Sequence, residues 1–275
     1  MKFEYVISGL TMGIDDLYYN PKVAAPYIHH MNQKIIDMNE KYDYQNMSIL
    51  FNAHTERTHG VTMNDTMNHS WHRIFADSGG LQLARMKSGI TPEVKDKIYH
   101  HQAKYCDVAM IFDEIPIEYD LNLTGGNSMK ADITGRRFVR EDLEKTAIAT
   151  RDNVKRQIEV FKKENSRAKI MLISQGQDVD SWRKYIEVIC DGLDDEEIET
   201  MCTGISLGSQ CNGNHFAHRM EMIYAAREYQ VPDSLRKNIH LLGVGNPNAL
   251  MPFICLLYTS PSPRDATLSR MPSSA

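Results

Sequence analysis

Short β-branched apolar runs alternate along this chain with longer stretches of helical periodicity. The apolar runs predict strands over Met47–Asn52, Arg73–Ala76, Val108–Phe112, Ile170–Ser174, Gly204–Leu207 and Ile239–Leu242. Between them, amphipathic or charge-rich patterns predict helices over Thr91–Lys104, Arg140–Asn165, Val179–Cys190 and His215–Tyr229. The first opens on a Thr-Pro start, and the second is dense enough in charge to be read as one solvated helix. Thr124–Gly135 reads as a surface loop. Strands alternating with helices of this length predict an α/β fold with a parallel sheet.

Polar residues or glycines stand at the carboxyl end of each predicted strand from the second onward. Asp77-Ser78-Gly79-Gly80 comes after the second and Asp113-Glu114 after the third. Gln175-Gly176-Gln177, Gly208-Ser209-Gln210 and Gly243-Val244-Gly245-Asn246-Pro247 come after the next three. In a parallel barrel these ends lie on one face, where barrel enzymes build their sites. A doubly wound sheet also binds ligands at carboxyl strand ends, so the pattern alone leaves both folds open. The absence of a strand–GxGxxG–helix unit weighs against a nucleotide fold.

Composition narrows the classes. The chain has 275 residues, of which 42% are hydrophobic and 24% charged, enough for a sizeable core. No apolar stretch approaches the about 18 residues that a membrane span needs, and the N-terminus lacks a signal-peptide pattern, so a cytoplasmic protein is expected. Five cysteines without a CxxC pair argue against a disulfide framework or a ribbon-type zinc site. A net charge of −5 leaves nucleic-acid contact to local clusters, the densest being Arg136, Arg137 and Arg140.

Several residues carry candidate chemistry. Asp77 precedes two glycines that permit positive φ and close approach of a ligand, and its carboxylate suits general acid/base work or an Asx-turn. Asp113 follows the apolar run VAMIF, at a strand end that suits a site or a helix start. Gln175 offers an amide that both donates and accepts, as reading a heterocyclic edge requires. Gly208 and Ser209 expose backbone groups, or simply turn the chain. Cys211, His215 and His218 come nearest to a metal set but lack a fourth ligand, so no metal site is expected. Among the other histidines, His54 alone falls just after a predicted strand on the proposed active face.

The last segment differs from the rest. CLLYTSPSPRDATLSRMPSSA, Cys255 to Ala275, crowds Pro and Ser without apolar periodicity. It resembles the translation of sequencing-library adapter in one frame, so residues 255–275 are expected to be non-native and disordered. Residues 1–254 then form the expected domain, with the gene cut after about Ile254 and the last barrel strands beyond it.

In order, five segments resemble motifs of the tRNA-guanine transglycosylase superfamily: DSGGLQ (Asp77–Gln82), FDEIP (Phe112–Pro116), SQGQ (Ser174–Gln177), LGSQ (Leu207–Gln210) and GVGNPNAL (Gly243–Leu250). The first and last are specific. The others gain meaning from their order, and the resemblance covers roughly residues 70 to 254. Ser209 stands where the family has the second glycine of a pair, and Ile115 where many members carry Cys.

The resemblance implies a (β/α)8 TIM barrel, here truncated after about six strands, that replaces guanine in nucleic acid with a 7-deazaguanine. It implies that Asp77 is the general acid/base beside the reacting nucleotide, with Ser78 and Gln82 alongside, and that Asp113 reads the amide and amino edge of the base. Gln175, Gly208 and Ser209 complete that pocket. The family's nucleophilic aspartate and its zinc-binding Cys/His set lie beyond residue 254, so no cofactor is expected within residues 1–254. Expected partners are DNA or tRNA and the 7-deazaguanine base, a homodimer being a further expectation, with no membrane. The FDEIP wording leans toward the DNA-modifying, phage-type branch. Two other readings stay open: a non-catalytic barrel subunit that binds nucleic acid or a partner, and a metal-dependent barrel hydrolase using His54, Asp77 and Asp113.

Overall fold

The computed structural model describes residues 5–8, 47–54, 72–80, 90–119, 136–208, 221, 223–226, 233–236 and 238–242. Its framework is a parallel sheet of seven strands: β1 (Tyr5–Ser8), β2 (Met47–Asn52), β3 (Ile74–Asp77), β4 (Val108–Met110), β7 (Lys169–Ser174), β8 (Cys202–Leu207) and β9 (Ile239–Leu241). Their spatial order is their chain order, and every neighbouring pair is parallel. A doubly wound sheet reverses its order at a switch point, and none occurs among the described strands.

Helices fill the crossovers. Helix α1 (Pro92–Tyr105) joins β3 to β4, and α2 (Leu143–Lys163) precedes β7. Helices α3 (Val179–Cys190) and α4 (Asp195–Met201) lead to β8, and the short α5 (Asp233–Arg236) leads to β9. The antiparallel pair β5 (Ile117–Tyr119) and β6 (Arg136–Phe138) is inserted between β4 and α2. Its base is closed by Val139 N–H donating to Pro116 C=O at 2.8 Å. Among the described residues no helix is long and apolar enough to cross a membrane.

The sheet is curled. Phe75 of β3 and His240 of β9 stack with ring centroids 5.9 Å apart, although four strand-to-strand steps separate their strands. In a flat sheet those steps would span about 19 Å. The strands therefore wrap around a common interior in an α/β half-barrel.

Side-chain alternation divides the residues between that interior and the helical layer. Ile74 and Ala76, Ile170 and Leu172, and Ile205 and Leu207 are buried beneath the helices. From the helices come Tyr99, Val154, Ile158, Phe161, Trp182, Tyr185, Ile186 and Ile189, all at 0 or 1% exposure. Each such aliphatic or aromatic side chain contributes roughly 1.5–3 kcal/mol on burial. A polar seam crosses this layer: Gln157 Nε2 donates to Gln102 Oε1 at 2.8 Å, and Gln102 Nε2 donates to the carbonyls of Ala76 and Met110 at 3.0 and 2.9 Å. It ties α2 and α1 to two adjacent strands.

Several boundaries differ from the sequence expectation. β1 is a seventh strand that the apolar pattern did not single out, against the six expected. The strand expected over Arg73–Ala76 runs one residue further, so Asp77 ends β3 instead of following it. β4 stops at Met110, because the Phe112 carbonyl turns to accept from Asn153 Nδ2 at 3.0 Å instead of a neighbouring strand. The charge-rich helix begins as a 3₁₀ turn at Arg140–Asp142 and is solvated on one side only. Its other face, Leu143, Ala147, Thr150, Val154, Ile158 and Phe161, is buried at helical spacing. Thr124–Gly135 and the segment 255–275 lie outside the described residues.

Candidate active site at the strand ends

Four of the expected site residues converge at the carboxyl ends of adjacent strands. Asp77 ends β3, Asp113 lies just past β4, Gln175 follows β7 and Gly208 follows β8. Gln175 Nε2 donates to Asp113 Oδ2, which joins the β4 and β7 ends directly. A Cβ on Gly208 would stand 2.5 Å from Cδ, Nε2 and Oε1 of Gln175. Gly208 therefore vacates the volume that the Gln175 amide occupies. Its own N–H donates to Ser174 C=O at 2.9 Å, continuing the ladder to the rim.

Asp77 sits over a tight turn. Its carboxylate accepts the backbone N–H groups of Ser78 and Gly79. Gly79 has φ +75, a conformation that a side chain would strain, and a Cβ there would meet Asn52 Oδ1 at 2.8 Å. Gly80 N–H donates to Ser78 Oγ at 3.3 Å, so the Ser78 hydroxyl, fully buried, serves the turn. The reading of Asp77 as a turn-closing residue is met by this geometry, which also leaves its carboxylate at the carboxyl end of β3. Asn52, level with Asp77 in the β2–β3 register, borders the same turn.

Electrostatics separate the two carboxylates from ordinary surface acids. Asp113 is 9% exposed. Burial raises its carboxyl to about 7, the Gln175 hydrogen bond opposes this, and the charge of Asp77 adds to it. Burial also pushes Asp77 upward, against the two backbone donors. Burial favours the protonated form of both acids, which lie within electrostatic reach of each other at the sheet's carboxyl edge, and Asp113, at about 7, can hold and release a proton near neutral pH.

The loop bearing Asp113 is held from behind. Glu114 N–H donates to Thr150 Oγ1 at 2.8 Å, and Tyr185 O–H donates to Glu114 C=O at 2.6 Å. Lys95 Nζ pairs with Glu114 Oε1 at 2.7 Å and bonds Asn153 Oδ1 at 3.0 Å. On the β7 side, Gly176 closes against α3, where a Cβ would meet Trp182 N at 2.5 Å. There Asp178 and Ser181 form a reciprocal cap. Arg140 pairs with Asp178, so one member of the arginine cluster is engaged within the protein.

Gln82, Ser209, Cys211, His215 and His218 lie outside the described residues, as does the GVGNPNAL segment. His54 is described, two residues past the end of β2, and its Cβ lies 3.0 Å from the place a Cβ on Gly79 would take. Among the described residues no group of three His, Cys, Asp or Glu side chains is arranged to hold a metal ion. The sequence reading missed Asn52, Asn153, Thr150 and Tyr185. Asn52 was detectable by the rule that found the others, a polar residue ending an apolar run. Thr150 and Tyr185 sit at buried helical positions, where a hydroxyl looks like any other core residue.

No protein-family model matches the chain, and no curated protein matches it.

Proposed function

We propose that this protein exchanges guanine in DNA or tRNA for a 7-deazaguanine, on a (β/α)8 barrel whose strand ends carry the site. The observation that carries the reading is the Asp113–Gln175 pair beside Asp77. A guanine-type base presents neighbouring N–H donors and one carbonyl acceptor on its pyrimidine edge. A carboxylate accepts from the donors while an amide Nε2 donates to the carbonyl, so the pair is complementary to that edge. Gly208 keeps the amide in place.

In this reading the target base leaves its stack and enters the strand-end site. A nucleophilic carboxylate attacks C1′, the glycosidic bond breaks, and guanine departs with its bonding electrons. The incoming base then attacks C1′ and frees the carboxylate. The motif resemblance assigns that nucleophile to the segment after GVGNPNAL, which leaves Asp77 to deliver and take protons and Asp113 to hold the base. Burial raises the Asp77 carboxyl above the usual carboxylate range, which favours the form that has a proton to deliver.

The test is incorporation of labelled 7-deazaguanine by the full-length protein, with tRNA and duplex DNA as separate substrates. Incorporation into either supports the reading and names the substrate. Binding of nucleic acid without incorporation into either would contradict it and favour the non-catalytic subunit. The metal-dependent hydrolase gains no support from the described residues.

A further inference from the structure

We infer that Thr150, Asn153 and Tyr185 are positioning residues, which set the direction of the Asp113 side chain from outside the site. The inference rests on the assignment of Asp113 to the edge of the base.

Both peptide planes that flank the Asp113 Cα are held by α2. The 112–113 plane is held through Phe112 C=O, which accepts from Asn153 Nδ2 at 3.0 Å. The 113–114 plane is held through Glu114 N–H, which donates to Thr150 Oγ1 at 2.8 Å. Fixing both planes fixes φ and ψ of Asp113, and with them the direction in which its Cβ leaves the backbone.

Tyr185 closes the arrangement. Its single proton goes to Glu114 C=O at 2.6 Å, so in the 2.6 Å contact between the two hydroxyls Thr150 donates. Glu114 N–H, Thr150 and Tyr185 each donate once, and the ring returns to Glu114. Thr150 and Tyr185 are both at 0% exposure and belong to helices on the far side of the sheet edge, out of a ligand's reach. A purely apolar contact between α2 and α3 would avoid desolvating two hydroxyls, whereas this ring keeps them and satisfies the backbone of one loop. Lys95, lying 4.7 Å above the Phe112 ring and bonded to Glu114 and Asn153, braces the same loop from α1.

The test uses the full-length protein and its Thr150→Val, Thr150→Ser and Tyr185→Phe variants. Two quantities are read: guanine affinity by calorimetry, and titration of the Asp113 carboxyl by carbon-13 NMR without ligand. The groups facing Asp113 are Asp77 from β3, Gln175 from β7, Tyr185 from α3 and the neighbouring Glu114. Thr150→Val and Tyr185→Phe are expected to weaken guanine binding about five- to tenfold. The same two variants are expected to lower the titration midpoint of Asp113 as its carboxyl gains water. Thr150→Ser, which keeps the hydroxyl, is expected to preserve both.

An unchanged midpoint and affinity in Thr150→Val and Tyr185→Phe would overturn the inference, and so would a Thr150→Ser protein as impaired as Thr150→Val. If Thr150→Val does not fold, Tyr185→Phe against wild type carries the decision. Should the wild type fail to bind guanine, the transglycosylase reading falls. The titration then decides the positioning role alone: a lowered midpoint supports it and an unmoved one overturns it.

Discussion

Phe75 and His240 meet across the interior of the sheet, their rings stacked at 25° with centroids 5.9 Å apart. Asp77 lies two residues beyond Phe75 on the same face of β3. The curl that brings Phe75 to His240 therefore also turns Asp77, Asp113, Gln175 and Gly208 toward one another.

That stacked pair predicts a stability change. Phe75 is 2% exposed, and Phe75→Ala is expected to cost about 3–5 kcal/mol in chemical denaturation. A loss small enough for a surface position would mean that the two strands do not close on each other.

Acid stability isolates His240. Burial, with Arg73 nearby, lowers its imidazole from 6.5 to about 4. A base depressed in the folded state gives stability that is complete above about 6.5 and is lost as pH falls toward about 4. Asp113 acts in the opposite sense: its raised carboxyl costs stability as pH climbs from 3.8 toward about 7. Wild type and His240→Gln are therefore compared at each pH. The variant is expected to lose the decline below about 6.5, and an unchanged acid limb would contradict the desolvation of the half-buried His240.

Asp113 predicts opposite effects on folding and binding. Asp113→Asn removes a charge that burial disfavours, so the variant is expected to be more stable than wild type at pH 8 and close to it at pH 4. Guanine binding is expected to fall about tenfold, since Asn replaces one of the two acceptor oxygens by an NH2 group that faces the donors of the base. In the wild type, affinity is expected to rise with pH through about 7 as Asp113 ionises. Calorimetric titration across pH reads this directly, and a flat profile would remove Asp113 from the base edge.

Gly208 predicts a change confined to the site. Gly208→Ala places a methyl group on the Gln175 amide, a movable side-chain end, so the fold is expected to lose no more than about 1–3 kcal/mol. The bond from Gln175 to Asp113 is expected to break, which lowers guanine affinity and shifts the Asp113 titration. Retention of both would show that the amide's place is not set by Gly208.

Much of the framework was legible in the chain. MSILFN and VDSWRKYIEVIC form the expected strand and helix at the expected boundaries, because each has an uninterrupted pattern bounded by polar residues. Less regular segments were not legible. β5 and β6 are three residues each, too short to show alternation, and α4 is DEEIETM, with Ile198 its single buried residue. In the site, the strand-end rule found Asp77, Asp113, Gln175 and Gly208. It could not reveal that Gln175 bonds Asp113, because that contact depends on β4 pairing with β7, two strands separated along the chain by β5, β6 and α2. The hydroxyls of Thr150 and Tyr185 were equally hidden, since their partners are backbone atoms of a distant loop.

Asp77 and Asp113, in the proposed function, divide the work of one base-exchange site. The decisive assay is labelled 7-deazaguanine incorporation by full-length wild type, Asp77→Ala and Asp113→Asn, each tested in parallel for guanine binding. Asp77→Ala is expected to bind guanine and incorporate none, while Asp113→Asn binds weakly and incorporates slowly. Normal incorporation by Asp77→Ala would contradict that division.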